Sequence, residues 1–215
     1  MILSALIQQT LSSRFEKYSK IALRNGMTGA QVAQLMLKMN GIEDVKIGHI
    51  KGQLTDHYNP ATKTLNLSES VYGTCSIAAA AVAAHECGHA LQHAKGYAPL
   101  RLRSALVPVT NFAGKTVQWV ILAGVLLINI VGTSLLWLGI GLFAVTTLFS
   151  FVTLPVEVDA SRRAIAWLDE TGIADEATLP MAKDALKWAA YTYVIAAIGS
   201  LATLFYYIGI ARRRS

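Results

Sequence analysis

SIAAAAVAAHECGHALQHAK, residues 76–95, is the stretch whose reading decides the fold. It holds no proline, and its one glycine, Gly88, falls inside it. Ser76 is a natural N-cap whose side chain can satisfy amides of the first turn. Gly96, followed by Tyr97 and Pro99, is a natural stop. The stretch therefore reads as a single helix. The alanines between 78 and 84 give it narrow faces against which other elements can pack closely, so it is expected at the centre of the fold.

Within that helix stands HECGH, residues 85–89. Positions four apart lie on one helix face, one turn apart, so His85 and His89 can aim two imidazole nitrogens at one point. A zinc ion there would bond each at roughly 2.0–2.1 Å. Glu86 lies beside that face, placed to take a proton from a water that zinc has activated. The pattern makes a metallopeptidase with one Zn²⁺ per chain the leading reading. Two histidines at this spacing can equally be a metal-free core or surface pair.

Zinc needs a third protein ligand and an open fourth position. His93 follows His85 by two turns, a rise of about 12 Å, too far for one ion to bond His85, His89 and His93 together. It reads as a helix-face residue. The pattern HExxHxxGxxH also fails, since Gln92 holds its glycine position and Lys95 its last histidine position. A carboxylate from a later helix remains, and LPVEVDASRRAIAWLDETG (154–172) supplies one. Pro155 suits a helix start and Gly172 a stop. Glu157, Ala160, Ser161 and Ala164 then share a face, and the three small residues would let this helix approach the metal helix closely. Glu157 is the preferred third ligand and Asp159 its rival. The alternative is a glutamate near a helix N-terminus, stabilised there by the helix dipole.

Three segments carry a family resemblance: LTDHYNPATKTLNLS (54–68), AAHECGHALQH (83–93) and LPVEVDASRRA (154–164). They resemble the bacterial neutral zinc metallopeptidases, the YugP-like family, and the likeness runs over most of the chain. The chain is more distantly similar to HtpX-like membrane peptidases, in which a glutamate after a transmembrane hairpin completes the zinc site. The resemblance implies His85, His89 and Glu157 as zinc ligands and Glu86 as general base. The wider group reads E-x-x-A-D-R after the third ligand. Here Ser161 stands in the aspartate's place, which leaves any orienting role of that aspartate open. Family members usually begin with a membrane-spanning segment. MILSALIQQTLSSRF (1–15) offers only about two apolar turns, so a shortened or missing anchor is expected, and the run is too short for a secretory signal.

Composition points to a lipid bilayer as partner. With a mean hydropathy of +0.43 and 15% charged residues, the chain is too apolar for an ordinary soluble enzyme. Val117 to Leu154 carries no charge at all. One span takes about 20 residues, so this run is long enough for two, with Asn129, Gly132, Thr133 and Ser134 marking the turn. Trp188 to Ile210 is long enough for a third. Trp119, Trp137, Trp188, Tyr206 and Tyr207 fall near predicted ends or turns, where aromatic rings favour the membrane interface. The expected organisation is an N-terminal part of a zincin-like module over 1–116 and a transmembrane hairpin over 117–154. A ligand-bearing helix follows over 155–187, then a C-terminal membrane helix and basic tail over 188–215.

The polar module is expected to be mostly helical with a small β-hairpin element. Thr28 to Met39 reads as an amphipathic helix with Val32, Leu35, Met36 and Met39 on one side. Asp44 to Ile50 alternates like a strand, and Gln53 to Ser68 reads as a hairpin around Asn59–Pro60. Leu65 to Leu67 could form an edge that pairs with extended substrate, or be an ordinary edge strand. His57 is a candidate to polarise the scissile carbonyl, or a turn histidine bonding backbone. Tyr58 and Tyr193 are weaker candidates. Cys75 and Cys87 give no disulfide framework. Cys87 reads as a small packing residue, and reduced thiols suit the cytoplasm.

The net charge is +6, and most basic residues flank the apolar runs, among them Arg101, Arg103, Lys115, Arg162 and Arg163. That favours a multi-pass protein of the cell membrane with its catalytic module on the cytoplasmic side. No aromatic–basic platform is interleaved with this charge, which argues against nucleic acid. The terminal RRRS conflicts, because a hairpin and one further span would put it outside. The fold class expected is mainly α, membrane-embedded, with a zincin-like metal helix, a small sheet and about three transmembrane helices. The function expected is zinc-dependent endopeptidase, acting on protein or peptide substrates. The rivals are a non-enzymatic membrane scaffold with a structural metal and a hydrolase of a non-peptide amide.

Overall fold

Capping chemistry sets where the first elements begin. The computed structural model describes residues 2–213; Met1 and the end of the basic tail, Arg214 and Ser215, fall outside the described residues. Helix α1 (Ile2–Ser19) precedes α2 (Gly29–Met39). Thr28 and Gln31 form a reciprocal capping box at the start of α2, each side chain accepting the other's backbone N–H. The buried stripe of α2 is Val32, Ala33, Met36 and Leu37. Met39, expected on that side, is 58% exposed; it is the last helical residue, where the chain turns off at Asn40 and Gly41, whose φ is +68°.

Three short strands follow: β1 (Lys46–Ile50), β2 (His57–Asn59) and β3 (Thr64–Ser68). Asn59 closes the predicted hairpin, its side-chain oxygen accepting from Ala61 and Thr62 N–H. The sheet order is β1-β3-β2, with β1 parallel and β2 antiparallel to β3. β3 is therefore the central strand: Leu65 lies between Ile47 of β1 and Tyr58 of β2, Leu67 pairs with His49 of β1, and both side chains are wholly buried. These residues are not an edge on which substrate can pair. Both leucines join the core because their alternate neighbours, Asn66 and Ser68, take the polar contacts of the other face.

After α3 (Glu69–Tyr72) comes the motif helix α4 (Ile77–Ala94). Ser76 caps it as expected, accepting from Ala79 N–H at 3.2 Å, and Gly96 past its end has φ +63°. Ala78 to Ala81, Ala83 and Ala84 are all buried, in one core cluster with Val32 and Met36 of α2 and Leu65 and Leu67 of β3. The alanine helix is thus central to its unit.

The remaining elements are α5 (Ala98–Leu126), the short α6 (Ile128–Val131), α7 (Ser134–Glu170) and α8 (Leu179–Arg213). The chain divides into two compact units: one holds the residues up to Tyr97 with Val156–Thr192, the other Ala98–Pro155 with the residues from Tyr193 on. Pro155 does not begin a helix. It lies inside the 37 residues of α7, so Glu157 stands on a helix that started far upstream. A proline removes one backbone hydrogen bond, and the long helical runs on both sides of Pro155 continue past that loss.

Helices α7 and α8, of 37 and 35 residues, are long and apolar enough to cross a membrane, and only 22% and 11% of their most apolar windows are buried. At 1.5 Å per residue each exceeds 50 Å, well beyond the ~30 Å of a hydrocarbon core. Among the described residues only these two meet that standard. Helix α5 begins at Ala98 and includes Arg101, Arg103, Pro108 and Lys115, so the uncharged run predicted from Val117 contributes only its last turns. In its unit, α5 and α7 pack closely. A Cβ on Gly124 would lie 2.8 Å from the Leu136 backbone, whereas one on Gly114 would meet nothing. Gly124→Val should therefore lower the thermal midpoint of the detergent-solubilised protein, by about 1–3 kcal/mol of overpacking. Gly114→Ala should leave the midpoint unchanged or raise it, since alanine favours a helix by up to ~1 kcal/mol. Equal midpoints for Gly124→Val and wild type would contradict this packing.

Candidate metal centre

Helix α4 presents His85 and His89 one turn apart, their ring centroids 4.8 Å apart and their planes at 84°. Glu157 of α7 reaches both: its Oε2 lies 3.3 Å from His85 Nε2 and 3.6 Å from His89 Nε2. One donor atom from each of the three residues falls within 4.8 Å of the others. Ligands about 2.0–2.1 Å from a tetrahedral zinc stand roughly 3.3–3.4 Å from one another, which the two carboxylate distances match.

The approach of the two helices rests on small residues. A Cβ on Gly88 would lie 2.7 Å from Ala160 O and 3.0 Å from Ala160 Cα. Ala160 and Ala164 are themselves fully buried, as the small-residue face read from the sequence required. No side chain fits between α4 and α7 at Gly88, so His85 and His89 on either side of it can meet Glu157.

The surroundings hold the donors in place. Ser161 Oγ lies 3.1 Å from His85 Nδ1 and Gln92 Oε1 lies 3.0 Å from His89 Nδ1. The Gln92 amide also donates to Val156 O and to Asp159 Oδ2, both at 2.8 Å. Arg163 Nε binds the same Asp159 oxygen at 2.6 Å and stacks over the Tyr97 ring at 5.9 Å. Asp159, the rival ligand, is thus engaged by Gln92 and Arg163. Glu86 accepts from Tyr58 N–H at 3.1 Å. Tyr58 is in β2, a sheet edge, so its amide is available to the helix rather than to a neighbouring strand.

Burial and charge favour a cation here. Glu86, His89 and Glu157 are all buried, Glu157 to 2% exposure. Burial works against a charged His89 ring, yet the Glu157 and Glu86 carboxylates outweigh it and raise its basicity above that of a free imidazole. Two buried carboxylates beside two imidazoles offer lone pairs and negative charge, which a divalent cation accepts. The donor set, two nitrogens and a carboxylate oxygen, suits zinc. Cys87, inside the motif, is fully buried with its thiol 3.6 Å from Ala33 O, and burial pushes its pKa well up. It packs against α2 as a neutral thiol.

The other candidates make contacts of their own. His93 Nδ1 pairs with the Tyr58 hydroxyl at 2.8 Å. His57, the first residue of β2, is exposed, with Nδ1 2.9 Å from Thr55 O and Nε2 3.1 Å from Asn66 Nδ2 across the ladder. Asp56 receives Ser68 N–H and Oγ–H at 2.7 and 2.9 Å and so fixes the entry to α3. Tyr193, on α8, is the residue at which the chain passes into the other compact unit. Sequence reasoning passed over Gln92 and gave Ser161 no partner. Their spacing carried a signal: Gln92 follows His89 by three residues and Ser161 follows Glu157 by four, so each shares a helix face with a ligand candidate.

Comparison with known proteins shows the family of the chain. The chain matches, over residues 1–212, the model of the family described as "Putative neutral zinc metallopeptidase". It is 42% identical over 210 residues to "Putative membrane protease YugP" of Bacillus subtilis strain 168, covering 97% of this chain and 91% of that protein. No solved structure matches it significantly. The chain belongs to this neutral zinc metallopeptidase family. Gly88→Ala tests the packing beneath the site. The added methyl meets α7 backbone and should cost about 1–3 kcal/mol, with weaker zinc retention on dialysis. Wild-type stability and zinc content in that variant would contradict the close approach.

Proposed function

We propose that this chain is a membrane-integrated zinc endopeptidase, with His85, His89 and Glu157 as metal ligands and Glu86 as general base. The observation that carries the reading is the convergence of the three donor atoms from two helices, with a second carboxylate, Glu86, directly beside His85. When bound, zinc supplies Lewis acidity that polarises a scissile carbonyl and eases ionisation of water. Glu86 takes the proton of the attacking water and passes it to the leaving amine. Tyr58 N–H holds the Glu86 carboxylate in place at 3.1 Å.

Several observations support membrane integration. The relative from Bacillus subtilis is named a membrane protease. Exposed apolar side chains are abundant on α5 to α8, with Phe112, Trp119, Leu126, Ile130 and Phe205 each more than 60% exposed. Water disfavours such a surface, and lipid covers it. If α7 crosses, the chain between Tyr97 and Val156 must cross an even number of times, because both ends belong to one compact unit. Helix α5 supplies the second crossing and α8 a third. Arg101 and Arg103 then lie in the first turns of α5, next in sequence to the catalytic unit, consistent with a cytoplasmic catalytic side.

The rival is a scaffold whose metal is structural, closed by a fourth protein ligand. Purified protein should cleave an unfolded protein such as casein, lose cleavage to a chelator and regain it with Zn²⁺. Glu86→Gln should keep its zinc and lose activity by about 10²–10⁴-fold; undiminished cleavage in zinc-loaded Glu86→Gln protein would refute the assigned base. For topology, a cysteine placed at Thr133 should react with an impermeant maleimide in intact cells. Protection until lysis would contradict a cytoplasmic catalytic unit.

A further inference from the structure

Gln92 is completely buried, and all of its polar atoms are used. We infer that Gln92 is a positioning residue that sets two metal ligands at once. It holds His89 with the Nε2 lone pair free, and it pins the helix bearing Glu157 at the peptide next to that residue. The inference rests on the zinc-site reading proposed above.

Nε2 of a glutamine carries two hydrogens and no lone pair for bonding. Its two partners, Val156 O and Asp159 Oδ2, each lie at 2.8 Å. A backbone carbonyl can only accept, and so can a carboxylate that already binds the Arg163 guanidinium. Turning the amide over would set its oxygen against two oxygens, so the nitrogen must face α7. That leaves Oε1 facing His89 Nδ1 at 3.0 Å. An amide oxygen only accepts, so Nδ1 carries the ring proton and Nε2 is left with its lone pair. Nε2 is the atom that lies 3.6 Å from Glu157 Oε2. A hydrogen-bond acceptor on the far nitrogen is the feature that fixes ring orientation and tautomer at zinc sites.

The same amide reaches the other helix at a telling place. Val156 immediately precedes Glu157, so a bond to its carbonyl fixes the backbone from which the third ligand projects. His85 has no comparable constraint. Its Nδ1 partner is the Ser161 hydroxyl, which can donate or accept and so does not dictate a tautomer. Gln92 alone links His89 and the Glu157 peptide through one rigid planar group.

The test uses the full chain in detergent, with Zn²⁺ affinity read by competition with a chromophoric chelator and geometry read from the visible spectrum of bound Co²⁺. Gln92→Met keeps volume and helix propensity but removes all three bonds. It should bind Zn²⁺ roughly 10–100-fold more weakly and change the Co²⁺ bands. Gln92→Glu keeps an acceptor towards His89 while setting a carboxylate against Val156 O and Asp159. It should unfold at lower temperature yet keep Co²⁺ bands closer to wild type than Gln92→Met does. A Gln92→Met protein with wild-type zinc affinity and an unchanged Co²⁺ spectrum overturns the inference. So does a Gln92→Glu spectrum as perturbed as that of Gln92→Met. Failure of the wild-type chain to bind Zn²⁺ would instead refute the metal site itself. Should Gln92→Met not fold, ¹⁵N-histidine NMR of the zinc-loaded wild type decides: a His89 ring protonated on Nδ1 supports the assignment, and one protonated on Nε2 overturns it.

Discussion

The site depends on how closely two helices can approach. Gly88 of α4 and Ala160 of α7 meet backbone to backbone, with no room for a further methyl. Donors on one helix cannot by themselves complete a zinc sphere, because the next turn on the same face is too far along the axis. A third ligand must come from elsewhere, and a carboxylate side chain is short. Only a helix pair at nearly minimal separation puts Glu157 within 3.3–3.6 Å of both imidazoles. The buried alanines of α4 and the small residues of α7 follow from that requirement.

A close approach alone would bury two carboxylates at high electrostatic cost. The surrounding hydrogen bonds offset part of it. Glu86 receives a strand amide, and the imidazole nitrogens turned away from Glu157 lie against Ser161 and Gln92. Arg163 binds Asp159 and keeps that carboxylate engaged outside the donor set. Buried negative charge with ordered partners suits a cation, and unpaired it would destabilise the fold. The ligand-bearing segment also continues without a break from the apolar segment of α7, so the helix proposed to enter the bilayer is the one that carries Glu157.

Much of this was legible in the sequence because local chemistry dominates there. The cap at Ser76, the stop at Gly96 and the face shared by His85 and His89 all follow from interactions within a few residues. Glu157 was legible too, because small residues at Ala160, Ser161 and Ala164 announced a close helix contact. What resisted depended on distant context. Pro155 looked like a helix start, yet the helical turns on both sides carry α7 through it. Leu65 and Leu67 looked like a possible edge, but strand order is set by pairing between separate segments. Gln92 was passed over because a glutamine in a helix is usually solvent-facing. Only the packing of α7 over it reveals a buried amide with three partners.

Zinc K-edge X-ray absorption on the purified, metal-loaded chain addresses the central claim most directly. Two imidazoles from α4 and one carboxylate from α7 should appear as nitrogen and oxygen scatterers at about 2.0–2.1 Å, with multiple scattering from two rings and no sulfur. Replacing Glu157 with alanine should change that shell or empty it. A sulfur scatterer near 2.3 Å, a third imidazole, or an unaltered shell in the Glu157→Ala protein would contradict the account.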